Sequence, residues 1–386
     1  MKFKNNVKLI TSKSILVFIN LLFVYKYLGR YIGSPLTVTL FLAAFYITLL
    51  FFTNKIRIPG KISYWFNWGL IFLFIGLAIF AFQQIPPISL NVDRWSVISS
   101  FWDSFLDHEY PYKAESHMGN VPGPMPFYFI LALPFYFIGE LGYLTIAGFL
   151  LFIYFIEKLK IPESQKFFLT AFLICSAFFQ WDLVCRSNIF FNAILILGCL
   201  IWFNMIEKQK FNRKMILNAI ISGFVLSTRT VLVIPYIITY LYTLKTRKIT
   251  ILNLIYFGII LILAFFITFI PFILNHFQDF LETNPFIVQS SSLIPLPYTV
   301  GFIILTIVIA FLCKSETDTY FLSGLILFIS ILIYFIYYIA LYGLHKAYLE
   351  STVDISYFIF CVPFLLIYIL ITESAPESNN GFAKVP

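Results

Sequence analysis

Residues 215–244, MILNAIISGFVLSTRTVLVIPYIITYLYTL, carry the pattern from which the fold is read. The stretch holds a single charge, Arg229, and lies between two basic clusters, Lys208 to Lys214 and Lys245 to Lys248. As one helix it would measure about 45 Å at about 1.5 Å per residue, against a bilayer hydrocarbon core of about 30 Å. Basic residues collect on the cytoplasmic side of membrane proteins, so an even number of crossings must separate the two clusters. A hairpin of two short helices, 215–228 and 230–244, with Thr228, Arg229 and Thr230 at its outer tip, meets both conditions. Helices this short span poorly alone and must be tilted, re-entrant or shielded by neighbours.

Outward from this hairpin, further apolar runs occupy 15–29, 36–53, 65–85, 126–156, 167–179, 188–206, 249–273, 297–313, 319–342 and 356–372. With 60% hydrophobic and only 11% charged residues, and a mean hydropathy of +0.90, the chain falls far from a soluble composition of about 25% charged. The expected fold is all-α: a polytopic transmembrane bundle of about twelve spanning or re-entrant helices. It forms one membrane domain, 1–372, with a short polar cytoplasmic tail, 373–386.

If the N-terminus is cytoplasmic and each run crosses once, nineteen of the 26 Lys and Arg residues fall inside. The seven outside are Lys26, Arg30, Arg94, Lys113, Arg186, Arg229 and Lys346. The net charge of +8 therefore reports orientation, and a nucleic-acid partner is excluded. The first run lacks a small-residue cleavage site and continues into Lys26 and Arg30, so it is expected to be a spanning helix and not a signal peptide. The same parity puts 180–188 at an outer tip. Heavy use of Phe, Ile, Asn and Lys points to a bacterial cytoplasmic membrane.

Several chemistries lack their motifs. The five cysteines form no CxxC pair, the four histidines show no HExxH spacing, and there is no GxSxG elbow, P-loop or GxGxxG. No disulfide framework or bound metal is expected, though a second carboxylate near Asp93 would admit a divalent cation.

The outer loop 86–124 is about 39 residues long, where most loops are near ten, and long ordered loops usually carry function. Within it Trp95, Ile98, Trp102 and Phe105 recur at helical spacing, with Asp93, Ser96, Ser100, Asp103 and Asp107 on the opposite face. This predicts an amphipathic helix on the membrane surface, aromatics in the interface and carboxylates in water. After it come His108-Glu109-Tyr110-Pro111-Tyr112 and the rigid block GNVPGPMP (119–126).

The order of a spanning helix, a loop opening with Asp93 and Trp95, then Tyr110-Pro111-Tyr112, a Pro/Gly turn and PFYFILALPF (126–135) resembles the GT-C superfamily of membrane glycosyltransferases. It is most similar to the polyprenyl-phosphate-mannose-dependent mannosyltransferases. STRTVLVIPYIITYL (227–241) is similar to a recurring segment of that branch, and the likeness covers roughly 65–245. The chain departs from the family in having two extra helices before the acidic loop. The resemblance implies a cell-envelope transferase that moves a sugar from a polyprenyl-phosphate donor to a glycan or lipid hydroxyl on the outer face. It also implies Asp93 as general base, with 86–124 carrying the active site.

Such chemistry needs a carboxylate for the acceptor proton, cations for the leaving phosphate and aromatic surfaces for the sugar. Asp93 either takes the proton or caps the surface helix. Glu109 and His117 are candidates to assist it, and Tyr112 and Trp181 to stack on a sugar, while Asp103 and Asp107 read as solvated surface. Arg229 binds phosphate or snorkels to headgroups. Arg186 binds phosphate or pairs with Asp182 four residues before it. His345 and Lys346 bind phosphate or anchor a loop. A secondary transporter or flippase of lipid-linked sugars, and a glycopolymer polymerase or ligase, are the competing classes.

Overall fold

The computed structural model of the chain describes residues 2–30, 34–52, 56, 58–291, 294–350 and 353–374. The basic residues Lys55, Arg57 and Lys384, and the expected tail from 375 on, lie outside the described residues.

Among the described residues the fold is entirely helical. In chain order the α-helices are α1 (Lys2–Tyr27), α2 (Pro35–Phe51), α3 (Gly60–Gln84), α4 (Arg94–Leu106), α5 (Pro126–Ile138), α6 (Gly142–Glu157), α7 (Glu163–Cys175), α8 (Ala177–Val184) and α9 (Ile189–Met205). They continue with α10 (Arg213–Leu226), α11 (Val233–Lys245), α12 (Ile251–Ile267), α13 (Ile270–Ile273), α14 (Phe277–Glu282), α15 (Pro285–Ser291), α16 (Leu296–Ala310), α17 (Glu316–Tyr342) and α18 (Val362–Ser374).

Five segments are long and apolar enough to cross a membrane: Asn6–Tyr27, Gly60–Gln84, Ile251–Ile273, Glu316–Tyr342 and Ile355–Ser374. Two more spans result if α5 with α6, bent by 118°, and α7 with α8, bent by 58°, each count as one. The runs expected at 126–156 and 167–179 are thus broken helices. The break expected inside 215–244 is present: α10 ends at Leu226, Ser227 to Arg229 make the turn, and a 3-10 turn at Thr230–Leu232 leads into α11.

Side chains mark where several helices begin. Asn212 accepts from Met215 N at 2.9 Å, Thr250 from Asn253 N at 3.2 Å and Ser315 from Asp318 N at 3.1 Å. Each satisfies a first-turn N–H that the helix cannot.

The chain divides into two compact units. One comprises residues to Gln83, Phe149–Val184 and those from Lys314; the other comprises Gln84–Gly148 and Cys185–Cys313. In the first, α1 packs on α2, α8, α17 and α18. The break between α7 and α8 frees backbone groups that lipid could not satisfy. Asn20 Oδ1 of α1 takes the Ala177 N–H at 2.8 Å, and the Tyr46 hydroxyl of α2 donates to Cys175 O at 3.0 Å. In the second, α10 lies directly against α12 because Gly223 has no side chain. A Cβ there would stand 2.2 Å from Leu261 O and 2.8 Å from Ala264 Cβ. Close approach over small residues is how helices pack where water offers no driving force.

Candidate functional site

The helix expected within 86–124 is α4. Asp93 sits at its N-cap, yet its carboxylate bonds no first-turn N–H. Instead Oδ2 accepts from Ser116 Oγ at 2.9 Å and from Asn120 Nδ2 at 2.7 Å. Those donors belong to a tight turn, closed by Gly119 N to Ser116 O at 2.8 Å and Ser116 N to Asn120 O at 2.9 Å. Gly119 adopts φ +75°, a conformation that suits glycine. His117, on the same turn, meets Ser96 Oγ through Nδ1 at 2.6 Å and stacks on Trp95 with ring centroids 5.5 Å apart.

The apolar face of α4 is covered by protein. Ile98, Phe101 and Trp102 are buried, Phe101 lies flat on Phe129 at 3.7 Å, and Trp102 Nε1 donates to Phe129 O at 3.1 Å. Ser96, on the face expected to meet water, is buried as well. The helix is therefore fastened to α5, and the Asp93 end is held by that packing.

The GNVPGPMP block and the hairpin tip, read separately in the sequence, lie together. Phe127 N donates to Ser227 O at 2.9 Å and Met125 N to Thr228 O at 3.4 Å. Gln289 clasps both, accepting from Thr230 Oγ1 at 2.8 Å and donating to Gly123 O at 2.7 Å. Arg229 is 8% exposed, its guanidinium 5.7 Å from the Tyr128 ring centroid. Asp93 and Arg229 are thus tied to the two ends of one short segment, 116–128. The five chain steps from Asn120 to Met125 reach at most about 18 Å.

Tyr128 also touches the 185–188 turn, where Asn188 Nδ2 donates to its hydroxyl at 3.3 Å. In that turn Arg186 is wholly buried at φ +53°. Its Nε and Nη2 each donate to a Glu140 oxygen at 3.1 Å, and Nη2 also reaches Ile85 O at 3.1 Å. The sequence offered Asp182 through helical i, i+4 spacing. Helix α8 ends at Val184, and Arg186 follows in the left-handed region, outside that helix.

The other candidates are dispersed. Glu109 is exposed beyond the far end of α4, about 20 Å along the helix from Asp93. Tyr112 is 1% exposed, its ring edge-on to Phe101 and its hydroxyl donating to Pro124 O at 3.3 Å. Asp103 accepts from the Tyr136 hydroxyl at 2.5 Å, and Asp107 is exposed. Trp181, His345 and Lys346 belong to the first unit. Trp181 packs on Phe23 and Tyr27, His345 Nδ1 pairs with Glu350 at 3.1 Å, and Lys346 is exposed with its ammonium 5.4 Å from the Tyr342 ring centroid.

Sequence reading missed the 276–289 segment. Lys113 pairs with Asp279 at 2.7 Å and Glu282 at 3.0 Å, and the Tyr110 hydroxyl donates to Thr283 O at 2.7 Å. The Lys113 ammonium holds the Asp279 carboxyl below its usual range, and burial pushes the Tyr110 hydroxyl up. The signal was present: HFQDFLETNP (276–285) is a second long polar interruption, which parity places on the side of 86–124. Among the described residues no three His, Cys, Asp or Glu side chains gather as a metal site would require. Compared with known proteins, the chain matches no family model, no curated sequence and no solved structure.

Proposed function

We propose that this protein is a multi-pass membrane glycosyltransferase that moves a sugar from a polyprenyl-phosphate donor to a hydroxyl of a glycan or lipid acceptor. Its reaction takes place on the extracytoplasmic face of a bacterial cytoplasmic membrane. The four shorter apolar helices (Pro35–Phe51, Ile189–Met205, Thr230–Lys245 and Leu296–Ala310) would complete the crossings toward about twelve spanning or re-entrant segments.

The observation that carries the reading is the carboxylate of Asp93. Two donors fix Oδ2, while Oδ1 has no hydrogen-bond partner among the described residues. A base must be held still and keep one oxygen open to its proton. In the proposed step the acceptor oxygen bonds to the anomeric carbon, the bond from that carbon to the phosphate oxygen breaks, and the acceptor proton passes to Asp93 Oδ1. Arg229 takes up the charge of the departing phosphate. Arg186, already forked onto Glu140, orients the turn that holds Tyr128 under Arg229. His117 stands next to the acceptor path, placed by Ser96 and Trp95.

The test is transfer of radiolabelled sugar from polyprenyl-phosphate donors to a membrane extract by the purified protein. Asp93→Asn keeps both acceptor bonds to Ser116 and Asn120, so the variant should fold normally and lose activity by about 10²- to 10⁴-fold. Wild-type activity in that variant would remove Asp93 from the chemistry. Loss of transfer on adding a chelator would assign a divalent cation to the phosphate. Donor-dependent flux across vesicles without transfer would identify a transporter instead.

A further inference from the structure

The C-terminal end of α1 holds a lysine that the reading above does not use. Lys26 is 1% exposed, and its Nζ has no hydrogen-bond partner. Among the described residues no carboxylate lies within ion-pair distance of it. Its neighbours are two aromatic rings, with the ammonium 5.4 Å from the Tyr27 centroid and 5.6 Å from that of Tyr348. Tyr348 is fixed there, because its hydroxyl donates to Leu22 O at 2.6 Å and its ring stacks on Tyr25 at 6.2 Å.

The other buried lysines of this unit are treated differently. Lys13 meets Glu373, and Lys166 meets Glu157 and Glu163, each at 2.8 Å. A buried charge is costly unless paired. The field of the helix C-terminus favours a cation in the last turn, yet Nζ bonds none of the last-turn carbonyls and is left without an acceptor.

Further positive charge surrounds it. Arg30, exposed, lies over Tyr27 at 5.2 Å and donates to Leu349 O at 3.2 Å. Lys346 is exposed on the turn that carries Tyr348, and the carboxylate on that turn, Glu350, is engaged by His345. Neighbouring cations, a buried donor aimed at no acceptor and aromatic walls are what a compact dianion needs. We infer that Lys26 and Arg30, backed by Tyr27 and Tyr348, form a binding site for a phosphate group at the C-terminal end of α1. The inference stands whether or not Asp93 is a base.

The experiment is thermal unfolding of the full chain in nonionic detergent, with phosphatidic acid, inorganic phosphate or diacylglycerol added. Phosphatidic acid should raise Tm and diacylglycerol should not. A rise with inorganic phosphate as well shows that the phosphate alone suffices, and a rise with phosphatidic acid only assigns the site to a lipid headgroup. In Lys26→Met the apparent affinity should fall at least tenfold, while the ligand-free Tm stays level or rises because an unpaired charge is gone. Arg30→Gln, at an exposed position, should weaken binding without altering the fold. No shift with either phosphate ligand, a shift that survives in Lys26→Met, or a lower ligand-free Tm in Lys26→Met would each overturn the inference.

Discussion

Around Arg186 a wholly buried guanidinium forks onto both oxygens of Glu140 and a backbone carbonyl, while around Lys26 an equally buried ammonium meets two tyrosine rings and no carboxylate. The first region is complete in itself: its charge is neutralised within the fold, so it reads as architecture for the turn beneath Arg229. The second is complete only with an anion supplied from outside. Burial alone does not distinguish structural from functional cations; the identity of the partner does.

The comparison breaks most sharply at Glu140. Glu140→Gln would take from Arg186 the carboxylate on which it forks, and removing one partner of a buried pair costs about 3–5 kcal/mol. A large drop in Tm is expected, together with loss of donor binding if the turn orients Tyr128 and Arg229. Next is Asn20, on the same helix as Lys26 but with its side chain satisfied at the α7–α8 break. Asn20→Leu leaves the Ala177 N–H unmet and should cost about 1–3 kcal/mol by thermal unfolding; an unchanged Tm would show that the break tolerates an orphaned group. The smallest effect belongs to the exposed pair of Lys113 with Asp279. The folded Asp279 carboxyl is held below its unfolded value, so its contribution is present above about pH 4 and fades as pH falls through the lower folded value. Lys113→Ala should lower Tm only slightly at neutral pH and not at all once pH lies below the folded value, so the acid-side slope flattens.

Much of this was legible in the chain itself. The break at Ser227 to Arg229 followed from the length of the run and the basic clusters beside it. Helix α4 followed from the spacing of Ile98 and Trp102, though their neighbours did not. Hydropathy says that a side chain leaves water without saying whether lipid or protein receives it, and Phe129 and Phe272 cover Trp102. The runs 126–156 and 167–179 read as single segments, because a change of helix direction inside an apolar stretch leaves little trace in composition.

What the sequence by itself determined is a chain of apolar helices with basic connections, a hairpin turn at Arg229, a helix beginning after Asp93, and the residue types that sugar transfer would need. These are properties of contiguous residues, set by backbone geometry and by the cost of leaving polar backbone in lipid. Only the tertiary structure decided which groups meet. Ser116 and Asn120 hold Asp93 from more than twenty residues away, Glu140 holds Arg186 across 46, and Gln289 joins Gly123 to Thr230. A hydrogen bond or ion pair depends on where two distant segments pack, and nothing local at Lys26 announces that its partner is missing.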